Sequence, residues 1–394
     1  MKRIILFVAL VGLGISVNAQ SVKLQSAISD LRNKRLDKAK LNIDAASLHE
    51  STKEEAKVWF YKSAIYAEFA VTTNGKFKDL VTDVDPLQVA FEAAVKCTEL
   101  DKTGEYAKGS KTDNTLNFKR VAALLYNKAL DYYNEQDFNK SMEYFEMVPR
   151  VNKYFQDATS TDDAFSNAAL TAQLLGDDES LRRIYTNAVA SNVKTVTPYI
   201  GLCNFYRHDN DTANVTRLAT RISRSFSKNY IALVAASDAY SWLGNIDKAR
   251  EALNSALALN PENDTLLNTV GAGYEQIGDY DKAAEIYLTS LKIKPEQISA
   301  NNHLGILYFN KAVDIFSEAN EIPYTDQSGK ADKLNEEANA NLLKAIPYLE
   351  TALKYQENYN SLLALRQIYA RLGEGYEEKL QDVTKRVSAI EKGE

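Results

Sequence analysis

The stretch Val270 to Pro295, VGAGYEQIGDYDKAAEIYLTSLKIKP, has the look of a glycine-rich phosphate loop entering a helix. Its spacing argues otherwise. Gly271, Gly273 and Gly278 read G-x-G-x-x-x-x-G, whereas a dinucleotide cradle needs G-x-G-x-x-G after a β-branched strand run, and no such run precedes Val270. Metal and acid/base chemistry find as little support. The three histidines, His49, His208 and His303, stand in no H-E-x-x-H and beside no pair of cysteines. In the run Arg207-His208-Asp209-Asn210-Asp211-Thr212 the two aspartates alternate as at the start of a calcium loop. The sixth place, which must be Gly, is Asn214, and the twelfth, which must be a bidentate Glu, is Thr220. A solvated turn between helices fits that run better. G-x-S-x-G and P-loop patterns do not occur either. The sequence therefore predicts no catalytic residue, no metal site and no cofactor.

Composition says what must position any other kind of site. The chain has 394 residues with 7 Pro and 16 Gly, and 45% of it is hydrophobic, which suits a helical protein with few sharp turns and a continuous core. Its length exceeds one ordinary domain, so several domains or an elongated repeat array are expected. At the N-terminus Lys2 and Arg3 precede an apolar stretch from Ile4 to Ile15, and Val17-Asn18-Ala19 supplies small residues before Gln20. That is the layout of an export signal, too short in its apolar part to span a bilayer. Cleavage is expected between Ala19 and Gln20. Without Lys2 and Arg3 the mature chain would carry 45 basic against 53 acidic residues, net −8, which argues against nucleic acid or an anionic membrane as partner. No second hydrophobic span follows.

The array announces itself at a period of 34, with units starting at residues 162, 196, 230, 264 and 298. The fourth place is aromatic or Leu (Phe165, Tyr199, Leu233, Leu267). The eighth is small (Ala169, Cys203, Ser237, Gly271, Gly305), and the eleventh is Tyr206, Tyr240, Tyr274 or Tyr308. These places share one helical face. Gly176, Asn210, Gly244 and Gly278 are each followed by Asp or Asn, a turn with capping chemistry. A second helix then carries small or aliphatic residues at the twentieth and twenty-seventh places, as in Ala249 with Ala256 and Ala283 with Ser290, and Pro261 and Pro295 close their units. On this register Gly271 and Gly273 lie inside a helix that a neighbour approaches closely, and Gly278 ends it. Cys97 and Cys203 fall on small-residue packing places of separate helices and are expected to stay unpaired.

This pattern resembles the tetratricopeptide repeat family, closely over 230–297 and loosely over most of the mature chain. Upstream, Trp59, Ser63 and Tyr66 sit on it, and Ala90 with Cys97 continues it. Residues 122–161 repeat it through Leu125, Ala129, Tyr132, Phe138, Ser141 and Phe145. Residues 20–55 make a degenerate first unit whose second helix opens at Leu36-Asp37-Lys38-Ala39. Downstream, Ala345, Leu349 and Ala352 form the second helix of the eighth unit, and Ser361 to Ile390 a terminal pair. The resemblance implies an all-α superhelical solenoid of antiparallel helix pairs. The expected divisions are a signal at 1–19, degenerate units over 20–161, a regular array over 162–297, and an insertion-bearing unit with capping helices over 298–394. Thr73 to Asp85 and Ala319 to Ala338 are read as polar inserts, and Lys102 to Asn114 as a polar linker, all at the surface where specificity is commonly carried.

Members of the family bind through a groove formed by places two, five, nine, twelve and thirteen of each first helix. Transferred to this chain, those places hold Asn204, Arg207 and His208, then Asp238, Ser241 and Trp242, then Asn268, Glu275 and Gln276, then Asn302, Phe309 and Asn310. Amides can bond both partners of a peptide backbone, and Trp242 or Phe309 can anchor an apolar side chain. Of the Lys/Asn/Arg clamp of chaperone-binding members only Asn204 and Arg207 have counterparts. The resemblance thus implies a non-catalytic scaffold that binds protein or peptide partners. The ending Asn18-Ala19-Gln20 resembles exported proteins of Bacteroidetes-type bacteria, which makes the periplasm the expected address and the cell envelope the expected setting. Asp211-Thr212-Ala213 and Asp264-Thr265-Leu266 resemble the Asp-Ser/Thr-aliphatic pattern that such envelope proteins use for O-glycosylation. The rival reading is an accessory role in glycan capture or outer-membrane assembly. It lacks a lipid-attachment cysteine after Ala19 and a large non-repeat domain to host a sugar site.

N-terminal sequencing of the protein from its native cells should begin at Gln20, in the periplasmic fraction. An intact Met1 recovered from the cytoplasm would refute the export reading.

Overall fold

The computed structural model describes residues 22–323 and 328–392, so the export segment and Gln20 lie outside the described residues, as do four residues of the second insert. Among the described residues the chain is helical with no strand. The order is α1 (22–32), α2 (Leu36–Leu48), α3 (Ala56–Val71), α4 (Gly75–Lys78), a 3-10 turn (Asp79–Val81), α5 (Pro86–Leu100), α6 (Thr115–Asn134) and α7 (Phe138–Asn152). It continues with α8 (Ala158–Leu175), α9 (Asp178–Ala190), α10 (Thr197–His208), α11 (Thr212–Ser225), α12 (Tyr230–Trp242) and α13 (Ile246–Leu259). The last elements are α14 (Asp264–Gln276), α15 (Tyr280–Ile293), α16 (Ile298–Glu321), α17 (Lys330–Leu353), α18 (Tyr359–Leu372) and α19 (Glu377–Lys392). Two compact units divide the chain, Met1–Leu202 and Cys203–Glu394. Within each, helices pair with their sequence neighbours and each pair stacks on the next, an all-α solenoid arrangement.

The period of 34 is enforced at the helix ends. Gly176, Asn210, Gly244 and Gly278 take φ of +65°, +57°, +72° and +77°, the left-handed conformation that ends a helix and that glycine adopts without strain. The next residue in each case, Asp177, Asp211, Asn245 or Asp279, turns its side-chain oxygen onto a backbone N–H two or three places into the second helix. First helices start the same way, from Asn229, Asn263 and Gln297. Each such cap is worth about 1 kcal/mol. Asp211 of the run at 207–212 is thereby accounted for, since it caps α11 by accepting from the Asn214 N–H.

The middle of each pair is set by packing. Leu181 with Ala188, Val215 with Ile222, Ala249 with Ala256 and Ala283 with Ser290 are all buried, as the register requires. Full burial of a Leu, Ile or Val side chain contributes about 1.5–3 kcal/mol. Gly271 of α14 lies against the Tyr287 ring of α15 so closely that an added Cβ would stand 2.6 Å from it, and a Cβ on Gly305 of α16 would meet Leu349 of α17 at the same distance. Cys97 and Cys203 are free and buried, and burial, the main cause, pushes their thiols up to about 12 and about 11.

The expected insert at Ala319 to Ala338 takes a different form. It is not a loop: α16 runs on to Glu321 and α17 begins at Lys330, so most of the insertion lengthens a hairpin of two 24-residue helices. Buried alanines explain this, Ala312 and Ala319 on one helix and Ala338, Ala345 and Ala352 on the other, each seven residues from the next. They give both helices a flat flank two turns long at every step, within a sequence of good helix formers. The first insert likewise holds α4 and a 3-10 turn, with Val81 buried. The linker before α6 is irregular but tied down, because Asp101 accepts from the N–H groups of Glu105 and Tyr106 and Asp113 from those of Gly109 and Thr115.

Gly271→Leu should overpack the α14/α15 contact and destabilise the protein by roughly 1–3 kcal/mol, because Tyr287 is fully buried and has nowhere to go. Chemical denaturation checks this, and an unchanged midpoint would show the register to be wrong.

Candidate functional site

In the second unit the end of α10 and all of α12, α14, α16 and α18 supply the first helices of successive pairs. The residues transferred from the family pattern fall into three groups. Arg207 is half-buried and ion-paired with Asp238, which also accepts from Gln276 Nε2 at 2.8 Å. Arg207, Asp238 and Gln276 therefore form a polar chain across α10, α12 and α14, and Arg207 is engaged within the fold. Asn204 and His208 are exposed, while Ser241 and Trp242 are half-buried and line none of the larger grooves.

Asn268 requires a correction. It was expected at the surface, yet it is 7% exposed, and neither its Oδ1 nor its Nδ2 has a hydrogen-bond partner. Place five lies at the edge of the buried arc of α14, and both α12 and α16 pack against that helix and cover it.

The remaining four residues come together around α16. Glu275, Asn302, Phe309 and Asn310 line a groove of about 820 Å³ between α16 and α18, and Glu275, Gln276 and Asn310 line a second of about 1160 Å³ toward α15 and α17. Glu275, His303, Ile306 and Asn310 belong to both. Asn302 accepts from Ser361 Oγ of α18 at 2.8 Å, which holds one amide of the groove in place.

His303 was not singled out as a site residue, because its place in the unit is not one the family pattern uses. Its Nδ1 lies 3.1 Å from Glu275 Oε1, and its ring stacks on that of Tyr287 with centroids 5.4 Å apart. The hydrogen bond that the ring donates to the Glu275 carboxylate is the largest cause that raises the imidazole above its ordinary value near 6.5. Burial, the main cause, and Glu275 after it raise the Tyr287 phenol. The α18 contributions, Ser361 and Leu363 among them, were hidden for another reason. The insertion breaks the 34-residue count before α18, so only its N-cap, Asn358 accepting from Ser361 N–H, marks it as a further first helix.

Among the described residues no group of three or more His, Cys, Asp or Glu could hold a metal ion, and no helix is long and apolar enough to cross a membrane. The site offers amides, hydroxyls, aliphatic carbon and a few charges along open grooves.

Residues 230–263 and 268–297 match the family model described as tetratricopeptide repeat. Residues 230–297 of this chain thus carry tetratricopeptide repeats. Repeats of this family are generally non-catalytic protein-interaction scaffolds. Among solved structures, the chain is similar to that of MamA at 21% identity, TM-score 0.34, over 48% of this chain and 97% of that one. It is similar also to YrrB, titled a tetratricopeptide repeat protein with an unusual peptide-binding site, at 12% identity, TM-score 0.35, over 45% and 89%. A tetratricopeptide repeat protein from Parabacteroides merdae matches at 14% identity, TM-score 0.38, over 68% and 98%. No curated protein matches the chain at a significant level.

The Glu275–His303 contact has a pH signature. A histidine raised in the folded state contributes stability that is present below its unfolded value and is lost as pH rises through the folded one. The His303 ring protons should titrate above 6.5 by NMR, and Glu275→Gln should bring the titration down. An unmoved midpoint in that variant would show that Glu275 is not the cause.

Proposed function

We propose that this tetratricopeptide repeat protein is a non-catalytic scaffold of the cell envelope. In this reading residues 1–19 export it to the periplasm, and it binds protein or peptide partners along the first helices of its second unit. The observation that carries the reading is the pair of grooves beside α16. They run side by side, share Glu275, His303, Ile306 and Asn310, and present amide groups together with the apolar Ile306 and Phe309. Amides of Asn and Gln each offer two donors and an acceptor, which matches the alternating groups of an extended backbone. An apolar ring in a desolvated centre is the kind of residue that carries 2 kcal/mol or more of binding energy. The site moves toward the C-terminus relative to the groove implied by the repeat pattern, because Arg207 is already satisfied by Asp238 and Trp242 is half-covered.

Photocrosslinking in intact cells tests it. A benzophenone side chain placed at the exposed Asn310 should give discrete protein adducts, whereas the same group at exposed Lys292 on α15 should not. Phe309→Ala should lower the adduct yield about tenfold or more, as expected for loss of a central anchor. Equal adducts at both positions, or none at 310, would refute the groove.

A further inference from the structure

The two grooves differ in charge. In the one facing α18, Asn302, Asn360 and Gln367 surround Ile306, Phe309 and Leu363, and the only ionisable side chains, Glu275 and His303, are bonded to one another. The groove facing α15 and α17 carries the carboxylates of Glu275, Asp279, Asp281 and Asp314 against the ammonium groups of Lys311 and Lys344. Those two lysines are engaged. Lys311 stands 3.7 Å from Asp281, and Lys344 lies over the Tyr308 ring at 5.9 Å. Asp279 is likewise committed, to Arg250 at 3.3 Å and to the start of α15. Asp281 is almost fully exposed, so its long contact with Lys311 is solvated and exchangeable, and Asp314 is exposed with no ion-pair partner among the described residues. Tyr280, 58% exposed, lines the same groove and offers an aromatic face of the kind that attracts a cation.

We infer that the groove takes an extended peptide segment that sets a lysine or arginine side chain among Asp281, Asp314 and Tyr280 and an uncharged apolar side chain against Ile306, Phe309 and Leu363. This rests on the scaffold reading above and adds the chemistry of the partner. A carboxylate entering the groove beside α15 and α17 meets like charge, whereas an ammonium or guanidinium exchanges water for carboxylates and a ring face. The chain's net charge of −6 attracts the same basic segments at longer range. A divalent cation is a poorer occupant, since the carboxylates do not converge as ligands among the described residues. A neutral sugar is poorer too, because Phe309 is the one aromatic of the amide-lined chamber, where stacking platforms would be needed.

The test uses the full mature chain and three pools of fluorescein-labelled peptides. All share a fixed leucine and degenerate Gly/Ser flanks, and they differ at one position, holding lysine or arginine, glutamine, or glutamate. Fluorescence anisotropy should show the basic pool binding about tenfold or more tighter than the glutamate pool, the equivalent of about 1.4 kcal/mol. That advantage should shrink as salt approaches about 1 M, where the screening length is about 3 Å. Asp281→Asn with Asp314→Asn should bring the basic pool down to the glutamine level and leave the glutamine pool unchanged, whereas Phe309→Ala should weaken all three. If the glutamate pool binds as well as the basic one, or the double substitution changes nothing while Phe309→Ala still weakens binding, the charge assignment is overturned and the scaffold groove stands. If no pool binds, or Phe309→Ala leaves every pool unchanged, the groove reading fails and this inference with it. Displacement of the glutamine pool by a neutral oligosaccharide would assign the site to glycans and overturn both.

Discussion

Everything in the second unit depends on how closely paired helices can approach. At place eight of its repeat the chain puts Ala, Cys, Ser or Gly, and at Gly271 and Gly305 the neighbouring Tyr287 and Leu349 occupy the space a Cβ would need. A tyrosine ring lodged against bare backbone fixes distance and rotation together, because close-packed interiors tolerate neither voids nor overlap. That same ring, on its way out of the α14/α15 contact, becomes the surface on which His303 stacks. The packing of one pair thereby orients a polar group of the next helix, one that lines both grooves.

A second consequence concerns polar groups. Helical pairs meeting edge to edge leave little room for side chains at the flanks, and the structure meets this in two ways. Arg207, Asp238 and Gln276 satisfy one another across three helices, and Ser361 satisfies Asn302 across two. Asn268, by contrast, is covered with neither amide atom partnered. An unpaired buried amide costs about 1–3 kcal/mol, so Asn268 is a local weakness of the array. Where the flanks open, around α16, amides remain accessible, and that is where the binding surface is proposed.

The lengthened hairpin of α16 and α17 contributes by the same packing rule. Alanines at seven-residue steps let both helices extend beyond the ordinary repeat, and Asp314 of α16 and Lys344 of α17 line the acidic groove. An insertion that continues regular secondary structure enlarges a surface without adding a disordered segment, and the charge of the added turns decides what it attracts.

Much of this was legible in the chain itself. Period, small-residue places, turn glycines and Asx caps are local properties, since each depends on a helix ending or a side chain being small, and all appear where the 34-residue register puts them. Glu275, Gln276, Asn302, Phe309 and Asn310 follow from that register and do line the grooves. Three things depended on the tertiary structure. The burial of Asn268 and the pairing of Arg207 arise from which helices lie beside α12 and α14, and sequence spacing within one helix carries no information about the neighbour's reach. The role of His303 needed Glu275 and Tyr287 from two other helices. The insert read as a loop because its polar residues outnumber its apolar ones, although its alanine spacing suits a helix that has a partner. Only the presence of that partner, another helix with its own alanine flank, decides between the two, because an isolated helix of such composition gains too little to order itself.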